Sequence, residues 1–131
     1  MDPVLYGRLD VDDAGKKLEA LLRTGDAERA VAYQRKLQQE LQGLERSLAD
    51  DLGAEILFAG CDDILFRAPL TTGALLKLNE LVKDFANRAT CTISGGVGVD
   101  VFSAIESLRR AKAGGKACIV VDDTLALLSI S

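Results

Sequence analysis

The sequence contains no histidine. That absence removes Ser-His and Cys-His nucleophilic catalysis, HExxH zinc sites and imidazole acid–base chemistry together. Any reaction must then run on carboxylates, lysines, backbone groups and metal ions. Cysteine is scarce and scattered: Cys61, Cys91 and Cys118 include no CxxC pair, which argues against a disulfide framework and suits a reducing compartment. No run approaches the ~18 apolar residues of a membrane span, and no basic segment precedes an apolar stretch at the N-terminus, so a cytoplasmic protein without membrane contact is expected. Basic residues are the minority, Lys+Arg 16 against Asp+Glu 20 for a net charge of −4. A nucleic-acid polymer needs clustered Lys and Arg and is not expected as partner, whereas a small polyanion held through metal ions fits. Only two prolines occur, Pro3 and Pro69, both at the edges of apolar segments. With no repeat, linker or low-complexity tract, 131 residues of which 48% are apolar predict a single domain over 1–131 with a real core.

What is present reads as alternating strands and helices. Val4 to Val11 is short, apolar and β-prone, and ends at Asp12-Asp13, good N-caps for a helix with Leu18, Leu21 and Leu22 on its buried face. After Thr24-Gly25-Asp26, a longer helix carries Ala30, Leu37, Leu41, Leu44, Leu48 and Leu52 at helical spacing up to Gly53, a stripe suited to core or interface. Glu55–Ala59 and Ile64–Ala68 are strand-like runs joined by the tight hairpin Gly60-Cys61-Asp62-Asp63. A helix capped by Thr71 or Thr72 runs to about Ala89, Thr90 to Ile93 reads as a strand, and Ser94-Gly95-Gly96-Val97-Gly98 reads as a glycine turn, without P-loop spacing. A helix from about Val101 to Gly114 and a strand from Ala117 to Val121 follow, and the tail from Thr124 is ambiguous. The cysteines other than Cys61 read as packed strand residues.

The order β-α-α-β-β-α-β-α-β matches a ferredoxin-like α+β sandwich. In that arrangement the first strand is expected beside the strand leading into the hairpin, bringing Asp10 near Asp62 and Asp63. Carboxylates converging among apolar strands repel unless cations neutralise them, and Mg²⁺ or Mn²⁺ is the natural filler, with the Val11 carbonyl as a further ligand. Two such ions can clamp an in-line phosphoryl displacement. The amides of Asp12, Asp13, Ala14 and Gly15 open a helix, so free N–H groups would face a triphosphate. Taken singly, Asp12 or Asp13 is more often an N-cap than a ligand and Asp62-Asp63 more often a solvated turn, whereas Lys112 and Lys116 equally complement a helix C-terminus.

LDVDDAGKKLE paired with a GCDD hairpin, followed by SGGVG and LRRAKAGGK before a strand, resembles the palm domain of GGDEF diguanylate cyclases and of the CRISPR type III polymerase subunit. In size the chain is most similar to the stand-alone palm of the minimal CRISPR polymerase family. The resemblance implies a palm fold, an antiparallel sheet with flanking helices. It implies Asp10 and Asp63 as metal ligands, Asp62 as ligand or support, the Val11 carbonyl as ligand, Gly60 at the nucleotide, and Lys112 and Lys116 on its phosphates. Cys61 stands where those families have a second glycine. Diguanylate cyclases read guanine with an Asn-Asp pair late in the first helix, where this sequence has Leu18 and Glu19, so adenine is favoured.

The implied reaction is attack of a ribose hydroxyl on the α-phosphorus of a second nucleoside triphosphate with loss of pyrophosphate. The resulting expectation is a cyclic oligonucleotide synthase, most simply making a cyclic di-adenylate from ATP, that signals in antiviral defence to a downstream receptor. A two-fold homodimer with facing sites would supply both nucleotides. The alternatives are a cyclase closing one nucleotide on itself and an inactive nucleotide-binding palm. Replacing Asp10 or Asp63 by Asn is expected to abolish turnover while relieving repulsion in the site.

Overall fold

The computed structural model describes residues 3–130. Its elements are β1 (Val4–Val11), α1 (Ala14–Arg23), α2 (Ala27–Leu52), β2 (Glu55–Ala59), β3 (Asp63–Pro69), α3 (Ala74–Ala89), β4 (Ile93–Gly98), α4 (Val101–Ala113), β5 (Ile119–Val121) and α5 (Asp123–Ile130). The strands form one sheet in the order β2-β3-β1-β4-β5, antiparallel except for the edge pair β4-β5. This is the α+β architecture expected of a palm.

Period-two alternation places Leu5, Leu9 and Val11 of β1 inward and leaves Tyr6, Arg8 and Asp10 half-buried on the other face. The inward set packs with Ile64 and Phe66 of β3 against Leu37, Leu41, Leu44 and Leu48 of α2 and Leu78 and Phe85 of α3. The stripe of α2 is therefore core. Gly7 lies opposite Phe66, whose ring fills the space a Cβ would need.

Several expectations are corrected. β1 pairs with β3, the strand leaving the hairpin, and not with the strand leading into it. Ser94-Gly98 is not a turn but most of β4, buried along its whole length, and Thr90 to Thr92 precede the strand. The reason is helix approach: a Cβ on Gly96 would strike Leu108 N and Ala104 O, and one on Gly98 would lie 2.9 Å from Ala104 N. The glycines admit the backbone of α4 onto the sheet. Thr90 caps α3 in a left-handed conformation (φ 57°), and the α3 N-cap is Gly73 (φ 81°), not Thr71 or Thr72. Leu22 of α1 is 50% exposed, and Ala14 is the buried residue of that helix. The last strand is shorter than expected, because Lys116 and Ala117 adopt left-handed φ values of 67° and 54°. Cys118 is exposed, Cys91 is buried as expected, and the tail up to Ile130 is helical.

Candidate active site

The end of β1 and the hairpin tip are fastened together by backbone. The Val11 amide donates to the Asp62 carbonyl (2.8 Å), the Gly60 amide donates to the Asp63 carbonyl (3.0 Å), and Asp10 stands opposite Asp63 in register. Asp10, Asp62 and Asp63 consequently offer carboxylate oxygens that all lie within 4.8 Å of one another, each residue half-buried. Gly60 has a steric role here, since Asp63 Oδ1 folds over its Cα where a Cβ would stand.

Two cations of the chain flank the cluster. Arg8, two residues before Asp10 and so on the same strand face, donates through Nη2 to Asp63 Oδ2 (2.7 Å), and its guanidinium lies 5.9 Å from the Phe58 ring centroid. Lys112 at the end of α4 bridges Asp10 Oδ2 (2.9 Å) and Asp12 Oδ1 (2.7 Å). Asp62 has no such partner. Burial, then the neighbouring Asp10 and Asp63 charges, push its carboxyl above the ordinary value.

Asp12 is placed differently from the expected N-cap or phosphate position. Its side chain is 3% exposed and accepts from Thr92 Oγ1 (2.7 Å), Ser94 Oγ (2.7 Å), Lys112 Nζ (2.7 Å) and the Ala117 amide (3.0 Å). Its own amide donates to the Thr92 carbonyl, so it is not among the N–H groups open to an anion. Burial raises the Asp12 carboxyl most, but the hydrogen bonds from Lys112, Ser94, Thr92 and Ala117 together outweigh it and hold the group below its ordinary value. Burial likewise pulls Lys112 down, and its bonds to Asp12 and Asp10 outweigh that and raise it. Asp13 occupies the α1 N-cap position with φ 57° and no side-chain cap bond. Its carboxylate is drawn instead to Lys116 (2.7 Å). The amides of Ala14 and Gly15 lie before the first intrahelical bond. A side chain at Gly15 would meet nothing within 4 Å.

Beside Asp62 a cleft of about 300 Å³ opens between α1, α2 and the hairpin tip, lined by Gly15, Leu18, Gln34, Leu37, Cys61 and Asp62 among others. Leu18 faces it, whereas Glu19 pairs with Arg23 (3.6 Å) away from it. Sequence reasoning did not single out Arg8, Thr92, Ser94 or Gln34. Of these only Arg8 carried a signal, its two-residue offset from Asp10 along an alternating strand.

This sheet, with its acidic end and the helix opening beside it, is the palm-type fold seen in several solved structures. A Csm1-Csm4 cassette in complex with pppApA is similar at TM-score 0.68 and 18% identity, over 89% of this chain and 20% of that one. Another in complex with cA4 gives TM-score 0.62 and 18% identity, over 91% and 21%. A microbial GGDEF domain interacting with cyclic di-GMP gives TM-score 0.64 and 23% identity, over 92% and 78%. The chain thus spans about a fifth of the Csm1-Csm4 chains it matches. No curated protein matches the sequence. Residues 6–121 match the minimal CRISPR polymerase domain, and the chain belongs to that family.

Proposed function

We propose that residues 1–131 form one palm domain that joins nucleoside triphosphates into a cyclic oligonucleotide, with ATP as substrate and a cyclic di-adenylate as product. The observation that carries this reading is the meeting of Asp10, Asp62 and Asp63 beside a base-sized cleft and the start of α1. The donor set fits a hard divalent cation, being all carboxylate oxygen with no nitrogen or thiolate in the cluster. Asp10, Asp62 and Asp63, with the Val11 carbonyl, would hold Mg²⁺ or Mn²⁺. When bound, such ions neutralise phosphate charge and acidify a ribose hydroxyl.

The chain's own groups do the rest. The amides of Asp13, Ala14 and Gly15 and the positive end of α1 attract the triphosphate, with Lys112 and Lys116 on the same side. The cleft, at the lower end of the ~300–1,000 Å³ span of ligand pockets, takes the base. One palm holds one triphosphate, so ring closure uses a second copy whose site faces the first. Membership of the minimal CRISPR polymerase family supports a role in cytoplasmic antiviral signalling, with a separate receptor reading the product. Among the described residues, no helix is long and apolar enough to cross a membrane.

The test is product identification by mass spectrometry after incubation with each triphosphate and Mg²⁺ or Mn²⁺. A cyclic di-adenylate is expected from ATP, with loss of product in Asp63→Asn. A cyclic mononucleotide would replace this reading with intramolecular closure, and nucleotide binding without pyrophosphate release would leave a binding palm.

A further inference from the structure

One neutral polar side chain enters the apolar part of the cleft from α2. Gln34 lines it opposite Leu18, with Leu37 and Cys61 alongside. It is half-buried, and its carboxamide has no hydrogen-bond partner among the described residues. Its neighbour Tyr33, by contrast, is committed to Cys91 Sγ at 3.4 Å. Asp62, the other polar side chain on this cleft, belongs to the acidic cluster. Its amide atoms are not sealed from water, so the carboxamide can exchange water for the donor and acceptor of a ligand.

We propose that Gln34 is the specificity-determining residue that reads the base as adenine, an inference that rests on the proposed function. A carboxamide presents a donor and an acceptor side by side. Adenine presents the complementary pair, its 6-amino group beside N7 or N1, and so makes two bonds with nothing left over. Guanine presents two acceptors on one edge (O6, N7) and two donors on another (N1–H, the 2-amino group). Either of its mixed pairs, O6 with N1–H or the 2-amino group with N3, leaves another donor without a partner beside leucine, and an unpaired donor is where discrimination arises. No residue on the α1 side offers a competing readout, because Leu18 is apolar and Glu19 pairs with Arg23.

The experiment is calorimetric titration of the full chain, in Mn²⁺, with non-cleavable α,β-methylene analogues of ATP and GTP. Wild type is expected to bind the adenine analogue about tenfold tighter, and Gln34→Leu to bring the two within about threefold. Gln34→Glu reverses the preference, since a carboxylate accepts from both guanine donors. Asp63→Asn should weaken both analogues without changing their ratio. An unchanged ratio in the Gln34 variants, or no adenine preference in wild type, overturns the inference while the site stands. Equal binding by Asp63→Asn and wild type, or no binding at all, overturns the site and the inference with it. Far-UV circular dichroism checks each variant's fold, and if Gln34→Leu does not fold, Gln34→Glu decides alone.

Discussion

Arg8 and Lys112 place positive charge against Asp63 and Asp10, so the repulsion expected of three close carboxylates falls chiefly on Asp62. This changes which substitution should firm the fold. Asp63→Asn gives up an ion pair with Arg8 and gains little stability. Asp62→Asn removes a carboxylate whose ionised form is disfavoured in the folded state. A carboxyl raised above its ordinary value of 3.8 leaves stability highest below that value and lowers it as pH rises through the raised one. We therefore expect Asp62→Asn to melt higher than wild type at pH 7, with the difference vanishing in acid, while its Mn²⁺ affinity falls. Parallel thermal melts at two pH values and a Mn²⁺ titration check both halves.

Asp12 behaves in the opposite sense. Its carboxyl is held below 3.8, so its contribution is complete above that value and is lost as pH falls through the lower folded value. Asp12→Ala leaves Lys112 with Asp10 alone and takes the acceptor from the fully buried Ser94 hydroxyl, and should cost about 3 kcal/mol at pH 7. Urea denaturation of variant and wild type should converge as the pH is taken into the acid range. A cost under about 1 kcal/mol at neutral pH would count against the network.

At the scale of elements, β4 shows why glycines can mislead. Gly95, Gly96 and Gly98 look like turn punctuation, yet here they lie in a strand in which Gly96 and Gly98 are stripped of side chains so that α4 can sit on it, while Gly95 leaves room for Leu9 and Ile119. Nothing local distinguishes the two uses, because the clash that demands glycine at 96 and 98 comes from residues 103 to 108. Gly96→Ala should therefore destabilise by about 3 kcal/mol or more, since backbone and not a flexible side chain must move. Gly15 is the contrast. With open space around it in a helix, Gly15→Ala should stabilise by about 0.5–1 kcal/mol. If a triphosphate approaches α1 there, the same variant binds ATP analogues less well. Urea denaturation and calorimetry on this pair separate a glycine kept for packing from one kept for a ligand.

For the whole molecule, the proposed chemistry needs two nucleotides and each palm offers one cleft beside its acid cluster. Sedimentation equilibrium should show a dimer, and product formation should rise more steeply than linearly with protein concentration in the dilute range. A strictly linear dependence with a monomer throughout would exclude facing sites.

The first four helices, the hairpin and the apolar stripe of α2 are legible because each rests on local periodicity or a turn signal within a few residues, whereas the stripe's burial in the core and the helical tail are not. The types of the acidic residues are read directly, and the expected strand arrangement, joined by family resemblance, supplies their grouping. Strand order was not local: whether β1 lies against β2 or β3 is settled by packing Phe66 over Gly7 and pairing Asp10 with Asp63. Nor was the role of Asp12, which depends on Thr92, Ser94, Lys112 and Ala117 arriving from remote stretches. Local patterning sets most of the helices and the hairpin and makes carboxylates, not imidazoles, the available chemistry, but it hides β4 behind its glycines. Which carboxylates face one another, which one is buried as a tie, and that Gln34 looks into the cleft emerge in the folded chain alone, because those facts depend on contacts between segments whose separation in sequence carries no information about their distance in space.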